Sequence, residues 1–335
     1  MNPATKKTEG QNSGELWLAP LRGVTIRAFR ETFAPAIRKA GFDGAFAPFI
    51  PANPGIRVND RLLADLQPGS SDLPLVPQVI TKHPDAMREL LKGLKDRGFA
   101  RVDLNAGCPF PMIVRRERGS GLFRTPDMLE KLVETGCEEM GPGGFSVKTR
   151  LGLERPNELL GLMPMLNRYP LAALTVHART ARQMYVGACD QAAFAAICAA
   201  SANPVIYNGD IKAIKGFNGF MGLSGVNGLN GLSGFKGLKD LDGFSGLKGL
   251  DGFRGLKGLM VGRGFVRELG TRPDSAELLR DYIARSQTEL SGDRPVLGRM
   301  KELLAYWAES SPRWHRLWSL VKICRSVEEL LSIIR

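Results

Sequence analysis

Cys108 stands between Gly107 and Pro109, three residues past Asn105, in the run Leu-Asn-Ala-Gly-Cys-Pro. A thiol is thereby placed in a tight turn straight after an apolar stretch. An unperturbed cysteine, with a pKa of about 8.5, is mostly protonated at neutral pH and can serve as a general acid without special activation. No His and Asp partners flank it in sequence, so a protease-like nucleophile is the weaker idea. An isolated cysteine is more often a buried structural thiol; the turn context moves the reading toward chemistry. Cys137, Cys189, Cys198 and Cys324 lie in or beside helical patterns and read as core or surface thiols. An odd total of five cysteines with no C-x-x-C pair suggests neither a disulfide framework nor a zinc site.

Other chemistry-bearing residues recur just after apolar runs: Pro20, Leu21 and Arg22; Pro48; Gln78; Asn105; Lys148 with Arg150; His177 with Arg179; Asn208, Gly209 and Asp210; Gly262 with Arg263. Any one of them could be a satisfied polar group at a strand end. Their repetition at successive strand ends favours a shared site. Asn208-Gly209-Asp210 and Gly262-Arg263-Gly264 have the glycines that let backbone approach a phosphate, so a phosphate-bearing cofactor is expected there. Lys148 and His177 could reach that cofactor, and Arg150, two residues on along the same strand side, would add a second cation. Arg115-Arg116-Glu117-Arg118 is either a solvated loop or a grip on RNA phosphate beside Cys108. No Gly-x-Gly-x-x-Gly fingerprint follows an early strand, so a Rossmann site is not expected.

The elements that must position these residues are apolar runs at 16–20, 43–50, 74–80, 101–105, 145–149, 172–177, 204–207 and 259–262. Helical spacing fills most of the gaps, as with Ala86, Leu90, Leu91 and Leu94. Eight such alternations imply an α/β fold, a closed TIM (β/α)8 barrel, with the active site at the C-terminal strand ends. After residue 270 the pattern is purely helical, with segments expected at 274–290, 295–309 and 313–335. The expected organisation is a disordered polar N-terminus (1–14), a barrel (15–270) and a small helical domain (271–335).

From Gly216 to Gly258 the chain repeats Gly, then Leu, Phe or Val, then a variable residue, with Asp240 as the one interruption. Without proline this is not collagen, and a glycine at every third position disfavours helix. The stretch 212–258 replaces the crossover between strands seven and eight; an expanded tandem repeat explains it better than a partner-binding loop or a basic RNA-contacting arm.

A net charge of +12 would draw a polyanion, nucleic acid before an anionic membrane surface. The helical tail is not itself strongly basic, so its contribution to RNA binding must come from placement. No run of eighteen apolar residues and no signal-peptide pattern occurs, and a cytoplasmic, metal-free monomer is expected.

LAPLRGVT (18–25), LNAGCP (104–109), RGSGLF (118–123), VKTRLG (147–152), VHARTARQMYVG (176–187), IYNGDI (206–211) and LMVGRG (259–264) together resemble the tRNA-dihydrouridine synthase family, in the family's order. The tail, especially GRMKELLAYW (298–307), is similar more loosely, toward the bacterial subfamily acting on position 16. The resemblance implies an FMN-containing barrel that uses NADPH (or NADH) to reduce the C5–C6 bond of uridine in tRNA, with Cys108 protonating C5. Pro20, Leu21, Arg22, Gln78, Lys148, His177, Asn208, Gly209, Asp210, Gly262 and Arg263 would hold FMN, while Asn105 and Arg150 would meet the target nucleotide. The sequence departs from the family at Arg22, at Pro48 and at Phe110-Pro111-Met112, where relatives often carry lysine; Arg115 or Arg116 could take over that contact. Other readings are an FMN oxidoreductase on a free pyrimidine, similar to dihydroorotate dehydrogenase, and a non-catalytic RNA-binding barrel.

Overall fold

The computed structural model describes residues 14–211 and 256–335. The expected polar N-terminus, apart from Gly14, and the triplets before Leu256 lie outside the described residues.

Among the described residues ten short strands form one sheet: β1 (Glu15–Leu18), β2 (Gly44–Phe46), β3 (Ile50–Pro51), β4 (Leu75–Val76), β5 (Gln78–Ile80), β6 (Val102–Ala106), β7 (Phe145–Gly152), β8 (Leu174–Thr180), β9 (Val205–Asn208) and β10 (Leu256–Val261). All pairings are parallel. β4 and β5 are one strand broken at Pro77, which has no amide hydrogen to give to a ladder. β4 pairs with β2 while β5 pairs with β6, so the ring closes through this broken strand. β2 and β3 are likewise two pieces of the second strand, pairing with β4 and β5 in turn. The sheet is thus the expected eight-position barrel.

Side chains alternate along each strand, and one inward layer is apolar: Trp17, Phe46, Val76, Ile206 and Met260 fill it, with Trp17 edge-on to Phe46 at 5.3 Å. Moving along the strands toward their C-terminal ends, Gln78, Asn105, Lys148, His177 and Asn208 follow. The register links them, Asn105 opposite Lys148, Arg150 opposite His177, and His177 opposite Asn208. Sequence period two therefore becomes a ring of polar groups on an apolar floor.

Helices α1 (Arg27–Thr32), α2 (Ala34–Lys39), α3 (Pro84–Lys95), α4 (Pro111–Val114), α5 (Pro126–Met140), α6 (Glu158–Leu166), α7 (Gln191–Ala200) and α8 (Arg263–Leu269) connect the strands or follow the last. In α3 the buried residues Ala86, Met87, Leu90, Leu91 and Leu94 share one stripe, and Pro84 starts the helix where its missing N–H costs nothing. The tail comprises α9 (Ser275–Glu289), α10 (Asp293–Ser310), α11 (Pro312–Ile323) and α12 (Val327–Ile333). It packs on α1 and its exit through an aromatic cluster: Phe29 and Phe33 meet Tyr282, and Phe33 meets Trp307, which in turn lies 5.1 Å from Trp314.

Two expectations change at the tail and at the last strand. The single helix expected over 313–335 is two helices, because Ser326 caps α12 by accepting the Glu329 N–H. The last strand begins at Leu256, three residues earlier than its apolar run, so the end of the repeat, Leu256 to Gly258, belongs to β10. There Gly258 lies opposite Glu15, whose carbonyl oxygen leaves no room for a Cβ.

Candidate active site

Cys108 follows β6 in a turn built by Asn105. The Asn105 side-chain oxygen accepts the Gly107 and Cys108 N–H groups at 3.2 and 2.8 Å. Its amide nitrogen donates to Gln78 Oε1 at 2.8 Å, and Gln78 Nε2 donates to Asp103 Oδ2 at 2.7 Å. Gly119 backs the turn: a Cβ there would meet the Cys108 Cβ and carbonyl oxygen at 2.8 Å, and its φ of +55° also favours glycine. Cys108 is 7% exposed, and burial pushes its thiol pKa up against the opposing pull of the Phe110 N–H, Arg150, Arg22 and Lys148. The group is a protonated thiol at neutral pH, surrounded by features that would steady its thiolate.

Arg150 ties that turn to the next-but-one loop. Its Nε donates to the Gly107 carbonyl at 3.0 Å, and its Nη1 donates to the Thr180 and Met184 carbonyls at 2.9 and 2.7 Å. Both Arg150 and Arg263 lie over the Tyr185 ring, at 5.2 and 4.5 Å. Lys148 donates to Asn208 Oδ1 at 2.9 Å, and Asn208 donates to the Met260 carbonyl at 2.7 Å, joining β7, β9 and β10 at the mouth. Burial, then Arg150, lowers the Lys148 pKa to about 8. His177 is held well below its ordinary pKa by burial and by Arg150, Lys148, Arg179 and Arg263, so it is neutral in a cationic setting.

The Asn208-Gly209-Asp210 loop is latched from below. Arg179 donates to both Asp210 carboxylate oxygens at 2.6 and 2.7 Å, and the Cys189 N–H adds a bond at 3.1 Å. Burial would raise the Asp210 pKa, but Arg179 outweighs it and keeps the carboxyl below its usual range. Asp210 has a φ of +39°, and at Gly209, φ +133°, a Cβ would strike Cys189 Sγ and crowd the His177 ring. Gly262 brings the last loop against the first, where a Cβ would meet Ala19 and Leu21 at 3.1 and 3.3 Å. In that first loop, Thr25 Oγ1 accepts the Leu21 N–H and donates to the Ala19 carbonyl, which fixes Pro20 and Leu21. Arg22 is exposed and leans over Phe49 at 5.8 Å. Beside it Glu302 of α10 has a raised pKa from burial, moderated by Arg22 and Arg299, so the tail forms one wall of the mouth.

A family model described as "Dihydrouridine synthase (Dus)" matches residues 17–230, which is most of the chain. The chain belongs to the dihydrouridine synthase family. It is 28% identical over 206 residues to "tRNA-dihydrouridine synthase B" of Vibrio cholerae, covering 60% of this chain and 61% of that one. It is 31% identical over 201 residues to a "Probable tRNA-dihydrouridine synthase" of Rhodobacter capsulatus, covering 58% of this chain and 59% of that one. The chain thus spans about three-fifths of the length of these curated relatives. A solved morphinone reductase in complex with tetrahydroNAD superposes over 76% of this chain and 83% of its own, with a TM-score of 0.46 and 11% identity.

In this member of the family, the barrel gathers Cys108, Asn105, Gln78, Lys148, Arg150, His177, Asn208 and Gly209 at one mouth, with Pro20, Leu21, Gly262 and Arg263 on its rim. Asp210 lies in the same loop and turns its carboxylate to Arg179. Arg115 and Arg116 are exposed at the end of α4, on the surface beyond the buried network. Sequence reasoning had no specific role for Arg179, Gly119, Tyr185 or Asp103. Asp103 carried a signal, since it alternates with Asn105 on β6 and must also point inward. Tyr185 lies in the VHARTARQMYVG segment, but its spacing there gave no sign of the Arg150 and Arg263 contacts.

Proposed function

We propose that this chain reduces the C5–C6 double bond of a uridine in tRNA, with FMN as its flavin, NADPH (or NADH) as reductant and Cys108 as proton donor. The observation that carries this is Cys108 itself, a buried and protonated thiol held by Asn105 at the C-terminal mouth of a barrel of this family.

The residues present fit a phosphate-bearing flavin. The cations that bear on neutral His177 make one side of the mouth positive, and Gly209 and Gly262 let their loops pack close to Cys189 and Ala19, where a Cβ would clash. Pro20, Leu21, Arg22, Gln78, Lys148, His177, Asn208, Gly209, Asp210, Gly262 and Arg263 would hold the flavin, the Asp210 carboxylate being tied to Arg179. When bound and reduced, FMN supplies hydride for C6. Cys108 gives its proton to C5, and the resulting thiolate is steadied by the Phe110 N–H and by Arg150, Arg22 and Lys148, then regains a proton from solvent. Arg150 commits Nε and Nη1 to backbone carbonyls and also bonds the Tyr185 side chain, which fixes its guanidinium at the mouth, where it would meet the nucleotide together with Asn105.

In this reading residues 15–270 hold flavin and uracil, while the helices of 271–335 and the exposed Arg115 and Arg116 grip tRNA, with position 16 of the D-loop as the target. One chain supplies every residue named, so a monomer suffices, working in the cytoplasm where tRNA is processed. Purified protein reconstituted with FMN and NADPH should form dihydrouridine in an unmodified tRNA and leave free uridine and other free pyrimidines untouched. Reduction of the free base with tRNA unchanged would reject the reading.

A further inference from the structure

We propose that Asp103 is a positioning residue that sets the turn carrying Cys108, acting as a hydrogen-bond acceptor through the side-chain amides of Gln78 and Asn105. The inference rests on the reading of Cys108 as proton donor. Asp103, Gln78 and Ser146 are wholly buried inside the barrel and Asn105 is 8% exposed, so water does not substitute for any link. An ionised carboxylate only accepts hydrogen bonds, whereas a carboxamide can present either end. Asp103 therefore holds Gln78 with its NH2 inward at 2.7 Å, which leaves Gln78 Oε1 to take the Asn105 NH2 at 2.8 Å. That in turn leaves Asn105 Oδ1 for the Gly107 and Cys108 N–H groups. The backbone donors at the far end demand the same sense, so the two ends of the chain of bonds agree. Ser146 Oγ holds the other Asp103 oxygen at 2.7 Å. Burial lifts the Asp103 pKa to about 6, opposed by Gln78, Ser146, Arg101 and Lys148. An acidic residue in a wholly buried site is costly, and here its acceptor oxygens orient an amide that a neutral apolar residue could not.

The mechanism requires the acceptor and not the charge, and this separates it from an electrostatic partnership with Arg101 or Lys148. Asp103→Asn can still turn an oxygen to Gln78 and its NH2 to Ser146 Oγ. Asp103→Leu keeps the volume and loses the acceptor. Ser146→Ala leaves the acceptor in place. Gln78→Met cuts the chain at its middle link and serves if Asp103→Leu does not fold. The readout is the rate of Cys108 alkylation by iodoacetamide as a function of pH, followed at that peptide by mass spectrometry in the purified full chain. Burial is the largest influence holding the Cys108 thiol up, so a loosened turn hydrates it. Asp103→Leu and Gln78→Met should each raise the alkylation rate near neutral pH by about threefold or more, as for a fall of roughly half a unit in thiol pKa. Asp103→Asn and Ser146→Ala should follow wild type. A wild-type profile in folded Asp103→Leu or Gln78→Met overturns the proposal, as does an Asp103→Asn profile displaced as far as that of Asp103→Leu. Alkylation needs no tRNA, so failure to make dihydrouridine would count against the function and not against this relay.

Discussion

Cys108 owes its setting to a glycine eleven residues along the chain. Gly119 lies against the Cys108 Cβ and carbonyl oxygen at 2.8 Å from where its own Cβ would stand, so Gly119→Ala must push the turn aside. Turnover should fall by about tenfold or more, within the range for a misplaced general acid, while flavin content stays at the wild-type level. Flavin absorbance and single-turnover kinetics on the same sample check both halves. Lys148 offers a test with a pH signature. Its pKa is lowered from 10.5 to about 8, so the folded apo protein is disadvantaged by this charge below pH 8 and relieved as pH rises toward 10.5. Lys148→Met apo protein should therefore melt above wild type at neutral pH, by at most about 3 kcal/mol, less the cost of the lost hydrogen bond to Asn208. The gain should be largest below pH 8, shrink above it and vanish near 10.5; a gain independent of pH would contradict the assignment. Cys108 was legible in the sequence because Gly and Pro flank it after an apolar run. The acceptors of Arg150 are carbonyls of other loops, and no local pattern could reveal them.

Helices and strands decide where those side chains arrive. Trp307 of α10 is fully buried against Phe33 and Trp314, so Trp307→Ala should cost about 3–5 kcal/mol and loosen the wall formed by Glu302. Thermal melting measures the loss, and a change below about 1 kcal/mol would show that α10 is held by other means. The barrel strands were readable from apolar runs, yet their ends shifted by up to three residues because parallel pairing, and not hydrophobicity, ends a strand. β10 reaches back to Leu256 because Gly258 can lie against the Glu15 carbonyl. The break between α11 and α12 was also written in the chain: Ser326 and Glu329 have capping-box spacing, and the Arg325 N–H donates to Glu329 Oε2 at 2.6 Å. Apolar periodicity running through 313–335 hid it.

The whole molecule is a closed parallel barrel whose mouth is bordered by helices from the tail, in a chain of net charge +12. Among the described residues no helix is long and apolar enough to cross a membrane. The barrel was legible because eight alternations admit few other topologies, whereas the seating of the tail depends on aromatic contacts between Phe29, Phe33, Tyr282 and Trp307, far apart in sequence. The proposed function turns on one point, that Cys108 completes the reduction of a tRNA uridine. The most direct test maps dihydrouridine in tRNA from cells lacking the gene and from the same cells carrying wild type or Cys108→Ala. Dihydrouridine should disappear at one D-loop site, expected at position 16, return with wild type and stay absent or scarce with Cys108→Ala. An unchanged dihydrouridine map in the deletion strain, or full restoration by Cys108→Ala, would contradict the claim.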